Sequence, residues 1–381
     1  MNRKKLLSLI LTMLIIFSTV STISAIEIKP VEFDLNVKSA VLMDANTGTV
    51  LYEYNSKESL PPASVTKVMT LLLVFEALEK GKLSYNDILT VNENAASMGG
   101  SQIFLEPGEQ MNVDDLLKSV IVASANDAAL TLAEHVAGSE ESFVNMMNDK
   151  AKELGMNNTH FENVTGLDDD VISHLTSAYD IALMSRELLK HEKVIEYATI
   201  WMDTVRNGEF GLSNTNRLVR FYKGITGLKT GSTSKAGFCV SASAKRDDLH
   251  LIAVIMGAET SKIRNAAATK LLDFGFANYS IFKEEETNIG EIKVLCGVKD
   301  SVNLKYSQTE AIVNKGDEFK IEKEIELPEN ITAPIKDGQY IGKVKYLLNG
   351  KIIVEKEIIS SEAVEKITFL EYIVNIFKNF F

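Results

Sequence analysis

The sequence predicts an α+β fold, helices packed on an antiparallel sheet, followed by a small all-β domain and a C-terminal amphipathic helix. Three observations predict it. A hairpin-like stretch at 40–51 precedes a series of helical stretches, and strand-like runs return only from residue 225, an order that suits helices laid on one sheet better than repeated βαβ units. Beyond residue 282, short β-rich runs alternate with turn residues. At the end of the chain, placed at 100° per residue, seven apolar side chains of 364–381 share one face.

The first 25 residues read as an export leader, not as part of the fold. Arg3, Lys4 and Lys5 precede the apolar run Leu6 to Phe17, and Ser21 to Ala25 supply small residues before a cut after Ala25. Ile23 stands where a small residue is expected, so an uncleaved anchor is the alternative. On either reading the protein is exported to the outer face of the cytoplasmic membrane or the cell wall space. A catalytic domain is then expected over 26–282. Ala40 to Leu51 forms two strands around Asn46-Thr47-Gly48, and Ser64 opens a helix through Val68, Leu71, Leu72, Val74, Phe75 and Leu78 that stops at Gly81. That helix is apolar nearly all round and belongs at the centre of its domain. Helices are expected near 113–123, 126–136, 140–154 and 176–190, strands at 225–230, 236–245 and 249–258, and a helix near 261–273.

Lys283-Glu284-Glu285-Glu286 breaks the chain before a β-rich domain expected over 283–361. Within it Asn349-Gly350, flanked by apolar runs, predicts a hairpin, because both residues tolerate positive φ. In the final segment, 362–381, Ile367, Leu370, Ile373, Val374, Phe377, Phe380 and Phe381 share a helix face opposite Glu371, Asn375 and Lys378. The segment is short and mixed for a spanning helix. A helix lying on the membrane surface is expected, with docking on its own domain or a partner as the alternative.

The net charge of −12 argues against a nucleic-acid partner. Cys239 and Cys296 lie far apart and outside any metal-ligand spacing, so both read as small buried hydrophobes and no disulfide framework is expected. The five histidines show no paired ligand spacing, and no metal or other cofactor is expected.

Three short motifs carry the chemistry: Ser64-Val65-Thr66-Lys67, Ser124-Ala125-Asn126 and Lys229-Thr230-Gly231. A serine and a lysine three residues apart on a helix share one face. If Lys67 is desolvated and transiently neutral, it can take the Ser64 proton as general base, and no histidine is needed. Backbone N–H groups at the helix start can hold a developing oxyanion. Ser-x-x-Lys also occurs at Ser232-Thr233-Ser234-Lys235, but there in a strand-turn region. A capping Ser64 with a solvated Lys67 is the bland alternative. Ser-x-Asn matches at Ser84 and Ser301 too; Ser124 stands out because it falls between two helices, where it can relay a proton toward the leaving group while Asn126 holds Lys67 and a substrate amide. Its alternative is a plain helix N-cap. Lys-Thr-Gly is rarer, expected by chance in roughly one chain in ten of this length. On a strand edge it can bind an extended peptide by β-addition, with Lys229 and Thr230 meeting a carboxylate and Gly231 allowing close approach.

With these residues placed, the chain resembles low-molecular-mass penicillin-binding proteins, the serine-type D-alanyl-D-alanine carboxypeptidases; the motif set is one that penicillin-binding proteins share with class A β-lactamases. The likeness extends through Pro62 to Thr70, Met98 to Leu105, Glu106 to Glu109, Thr176 to Asp180, and Gly227 to Gly231. It implies a β-lactamase/transpeptidase-like catalytic domain, removal of the terminal D-alanine from peptidoglycan stem peptides through a Ser64 acyl-enzyme, and β-lactams as covalent inhibitors. It further implies that Arg264 helps Thr230 hold the terminal carboxylate, a job suited to a guanidinium fork. The N–H groups of Ser64 and Ser232 would form the oxyanion hole, and the terminal helix would tether the enzyme to the membrane. No Glu-x-x-Leu-Asn lies between Asn126 and Lys229, so efficient β-lactam turnover is not expected. A transpeptidase or endopeptidase using the same serine, and a non-catalytic peptidoglycan-binding scaffold, are the competing readings.

Overall fold

The computed structural model describes residues 31–168, 172–371 and 373. Its contacts divide the described chain into two units at Ser280/Ile281. The first is built on five antiparallel strands: β1 (Ser39–Asp44), β2 (Val50–Tyr54), β3 (Ile225–Thr233), β4 (Gly237–Arg246) and β5 (Leu249–Ala258), in the order β2-β1-β5-β4-β3. All six residues of β1 are buried, and β5 is buried but for Gly257, so the middle of the sheet is covered on both faces. Side chains alternate across it. Val41, Met43, Ile252, Val254 and Met256 join the main core. Leu42 and Leu251 face the other way, so close to Gly275 that a Cβ there would stand 3.1 and 2.4 Å from them.

Six helices are central to this unit: α1 (Lys67–Glu79), α2 (Val113–Val122), α3 (Asn126–Ala137), α4 (Glu140–Glu153), α5 (Ala178–Leu188) and α6 (Ser261–Asn278). Helix α6 carries Gly275 and covers the Leu42–Leu251 face. In α1 every residue from Lys67 to Phe75 is buried, as expected of a helix apolar all round. The helices start where polar side chains cap them: Asn112, Ser139, Ser177 and Thr260 each accept a backbone N–H from the first turn. Two features differ from the sequence reading. Ser64 lies in a 3₁₀ turn, Ala63–Thr66, and the α-helix begins only at Lys67. Two small antiparallel strand pairs, Ile88–Thr90 with Gln110–Asn112 and Met202–Val205 with Phe210–Ser213, have strands of three or four residues and left no readable alternation.

The second unit contains a six-stranded sheet in the order Glu322–Glu326, Tyr340–Leu348, Lys351–Ser360, Ser301–Tyr306, Thr287–Leu295, Asn330–Thr332, and a further strand, Thr309–Asn314, outside that sheet. Its core holds Val302, Leu304, Tyr306, Val344, Tyr346 and Ile358. Asn349 and Gly350 turn its longest hairpin with φ of 52° and 76°. Cys296 is exposed, not buried: it follows directly on the strand Thr287–Leu295, at φ 57°, outside the alternation that buries Ile292 and Val294; Cys239 is buried, and both are free thiols. The terminal helix starts later than the expected 362. Val364 is buried in the β core and bridges Ile335, Lys366 bridges Gly297, and helix begins at Phe369. The leader expected at 1–25, and the apolar face from Val374 onward, lie outside the described residues.

Candidate active site

Lys67 is the chemical centre. Its side chain is 0% exposed, and Nζ lies 3.0 Å from Ser64 Oγ, 2.5 Å from Asn126 Oδ1 and 3.0 Å from the Thr165 carbonyl oxygen. Burial, and then the charge of Lys229, hold its ammonium well below the ordinary lysine range, while Asp127 pulls the other way. Nζ donates to all three neighbours; once the amine has lost one proton, its other two N–H bonds can keep Asn126 and Thr165 while the lone pair is turned to Ser64 Oγ. Three positions of sequence separation across a 3₁₀-to-α junction put Ser64 and Lys67 on one face.

Asn126 is fixed from both ends of its amide. Its Nδ2 donates to the Gly99 carbonyl at 2.6 Å, and its backbone N–H donates to the Ser101 carbonyl at 2.7 Å. Gly100, at φ 75°, is a necessary glycine here, since a Cβ would stand 2.8 Å from Asn126 Nδ2. Ser124 precedes α3 with φ 63°. Ala125 is the N-cap of that helix and makes no side-chain cap, so Ser124 is not a capping serine; it lines the cleft instead.

Lys229, Thr230, Gly231 and Ser232 lie on β3, which is an edge strand. Lys229 is 1% exposed and donates to the Thr230 carbonyl at 2.9 Å; burial and the neighbouring Arg264 push its pKa down to about 7. Thr230 Oγ1 donates to Thr215 Oγ1 at 2.8 Å. At Gly231 a Cβ would stand 2.7 Å from Ser64 N and 2.9 Å from Pro62 O, so the strand can pass this close to the nucleophile turn only as glycine. Arg264, 5% exposed in the first turn of α6, bonds Asn265 Oδ1 and the Cys239 carbonyl, and burial lowers its pKa to about 10.

A strap formed by residues 162–168, with His174 beside it, closes the floor of the site, and motif reasoning missed it. Besides the Thr165 carbonyl, the strap supplies the Val164 carbonyl, which accepts from Thr70 Oγ1 at 2.6 Å. Gly166, at φ 82°, packs where a Cβ would fall 1.9 Å from the Ala63 carbonyl oxygen. His174 Nδ1 accepts the Glu162 N–H at 3.0 Å, which leaves the proton on Nε2, 2.7 Å from Thr66 Oγ1. Asp168 accepts from Thr233 Oγ1 at 2.5 Å, and Lys235 Nζ donates to its carbonyl. The second Ser-x-x-Lys match is thereby accounted for: Lys235 points to the strap and not to Ser232. Backbone carbonyls leave no trace in a sequence; only Gly166 and His174, in a stretch without periodicity, could have signalled the strap.

These elements enclose a cavity of about 720 Å³ whose lining includes Ser64, Ser124, Thr230, Gly231, Ser232 and Arg264. Lys67, Asn126 and Lys229 lie behind that lining. A serine paired with a buried lysine, beside an edge strand and a buried guanidinium, is a site for acyl transfer from a substrate with a carboxylate.

Residues 25–260 match the family of D-alanyl-D-alanine carboxypeptidases, and residues 276–366 match the C-terminal domain of penicillin-binding protein 5. The chain belongs to the D-alanyl-D-alanine carboxypeptidase family. The family's catalytic domain and all-β C-terminal domain are therefore the two units of the described chain. Over 344 residues, 88% of each chain, it is 45% identical to the D-alanyl-D-alanine carboxypeptidase DacF of Bacillus subtilis. Among solved structures it is similar to penicillin-binding protein 5 of Haemophilus influenzae, with TM-score 0.77, 34% identity, and 88% of this chain covering 99% of that one. Penicillin-binding protein D2 of Listeria monocytogenes, solved with cefotaxime bound, matches 65% of this chain and 99% of its own at 33% identity and TM-score 0.60. The resemblance read from the three motifs is thus confirmed at the level of the family. Among the described residues of this carboxypeptidase-family protein, no helix is long and apolar enough to cross a membrane.

Proposed function

We propose that this protein is a serine D-alanyl-D-alanine carboxypeptidase that removes the terminal D-alanine of peptidoglycan stem peptides and is acylated by penicillins. The observation that carries the reading is the buried Lys67 Nζ, 3.0 Å from Ser64 Oγ with two carbonyl acceptors for its remaining protons. Ser64 attacks the carbonyl of the penultimate D-alanine as its proton passes to Lys67. The N–H groups of Ser64 and Ser232 hold the oxyanion, a role supported by the closeness of β3 to Ser64 N at Gly231. Ser124 carries the proton to the departing amine, the C–N bond breaks, and D-alanine leaves. Water then attacks the ester, and its proton returns through Lys67 to regenerate Ser64. Asn126 holds Lys67 and the substrate amide, while Lys229, Thr230 and Arg264 receive the terminal carboxylate.

The test is D-alanine release from a stem pentapeptide by the purified protein beside Ser64→Ala. Release that disappears in the variant supports the reading. Labelling of Ser64 by a fluorescent penicillin without release would indicate a different acceptor or bond, and neither release nor labelling would leave a peptidoglycan-binding scaffold.

Export and membrane tethering belong to the same proposal. They rest on the leader pattern at 1–25 and the apolar face of the terminal segment. Because Val364 and Lys366 belong to the β domain, truncation should remove only residues after Ile367. A truncated, leader-cleaved protein that still pellets with membranes would sink the tether.

A further inference from the structure

The cavity extends well past the residues that the proposed reaction uses. One end is lined by Trp201, Arg217, Arg220, Phe221, Ser261 and Arg264. No Asp or Glu lines the cavity among the described residues, although the chain as a whole carries −12. Arg217 and Arg220 are exposed, and neither makes an ion pair among the described residues. Arg217 is the N-cap residue, in helical conformation, of the short helix Leu218–Phe221, and Arg220 lies three positions on, so the two share a face. Arg220 lies over two rings, its guanidinium 5.5 Å from the centres of both Trp201 and Phe221. That stacking orients the planar fork before any ligand arrives. Neighbouring Thr215 bonds Thr230 at 2.8 Å, and Arg217 is near enough to add to the lowering of the Arg264 pKa. This end of the cavity therefore adjoins the carboxylate site, on the side from which the leaving group departs.

One carboxylate on a departing D-alanine satisfies Thr230, Lys229 and Arg264 and leaves two arginines unneutralised. The cavity lining also continues past Thr230 and Arg264 to Arg217 and Arg220, so the cleft is not closed off at the carboxylate site. We propose that Arg217 and Arg220 form a second anion subsite, which accepts a carboxylate carried on a leaving group longer than D-alanine.

The inference rests on the carboxypeptidase reading and widens its substrate class to D-alanyl amides whose leaving amino acid is a dicarboxylate. The covalent chemistry is unchanged: the amide C–N bond breaks, the departing amine takes the proton released by Ser64, and water restores the serine. The carboxylate next to the departing amine binds at Thr230 and Arg264, and the distal one binds at Arg217 and Arg220.

The experiment compares three N-acylated L-Lys-D-Ala-X peptides with X as D-Ala, D-Glu or D-Gln, using the full-length protein. D-Glu and D-Gln match in size and differ in charge. The expected kcat/KM for D-Glu exceeds that for D-Gln about tenfold, the yield of one charge-assisted hydrogen bond. In Arg220→Ala and in Arg217→Gln that ratio falls toward one, and Arg220→Lys restores part of it; fluorescent penicillin labelling of each variant verifies a folded site. Equal rates for D-Glu and D-Gln in the unaltered protein would overturn the subsite while leaving the carboxypeptidase reading intact. A ratio that survives in both arginine variants would overturn it as well. No release from the D-Ala peptide would count against the carboxypeptidase reading itself and remove the subsite with it.

Discussion

Asp127 follows Asn126 directly, yet the two side chains serve opposite ends of the same loop. Asn126 accepts from Lys67, whereas Asp127 is fully buried and accepts the backbone N–H groups of Ile103 and Leu105 at 3.1 and 3.0 Å, and that of Ala128 at 2.9 Å. One turn of helix start thus joins the reactive amine to the wall of the cleft. Asp127 is also the negative charge that opposes the lowering of the Lys67 pKa. Asp127→Asn removes that opposition, so Lys67 loses its proton at still lower pH. The acid limb of penicillin acylation should move to lower pH, while stability drops by about 2 kcal/mol as charge-assisted bonds weaken. An acid limb that stays in place would show that Lys67 is not the group titrating there.

Lys229 supplies the opposite limb. Its pKa of about 7 means that in the free enzyme it is charged below neutrality and loses its charge as pH rises. The kcat/KM for a peptide with a free terminal carboxylate should fall about tenfold above pH ~7, the value of one charge-assisted bond. Lys229→Arg keeps the charge at all accessible pH. Whatever its absolute rate, its profile should lack the alkaline fall; a fall retained in the arginine variant would assign the limb to another group.

Gly231→Ala should silence the site without unfolding the protein. The added methyl meets Ser64 N at 2.7 Å, Pro62 O at 2.9 Å and Val65 N at 2.9 Å, all backbone atoms that cannot swing aside. Displacing the nucleophile turn by a fraction of an ångström should slow penicillin labelling about a hundredfold. Labelling at the original rate would mean that the turn is softer than its packing indicates.

How much of this was legible in the sequence varies with what kind of group makes the contact. The three motifs pick out Ser64, Lys67, Ser124, Asn126, Lys229 and Thr230, and the structure brings these six to one cleft. The hairpin at Asn349-Gly350 was legible because positive φ at two positions has few chemical solutions. The strap was not, since its working parts are the carbonyls of Val164 and Thr165, which every residue type possesses. Nor was the start of the terminal helix: Val364 opens the segment read as amphipathic, but it fills the β core, where it is 1% exposed. A periodic pattern records where apolar residues recur and not which neighbour covers them.

The strap also makes the catalytic unit sensitive to acid. Burial lowers His174 to a pKa of about 4, and its Nδ1 must stay unprotonated to accept the Glu162 N–H. The unfolded chain takes up that proton near pH 6.5, so the stability contribution is complete above ~6.5 and is lost as pH falls toward 4, about 3 kcal/mol in all. Buried His250, also lowered to about 4, adds a similar slope. Urea unfolding followed through Trp201, the chain's single tryptophan, should show His174→Gln less stable at neutral pH but with a shallower decline into acid. Equal slopes would place the acid sensitivity elsewhere.

Ser39 on β1 lies opposite Met256 on β5, so the first strand of the catalytic sheet is zipped to its last. Between them runs nearly all the chain that the site needs, and the sheet has no centre until β5 is available. A nascent chain halted before Leu249 can display Ser64 and Lys67 but has no completed wall against which they become reactive. Capture of a fluorescent penicillin should therefore act as a clock for the final step of assembly, appearing only once β5 has joined the sheet.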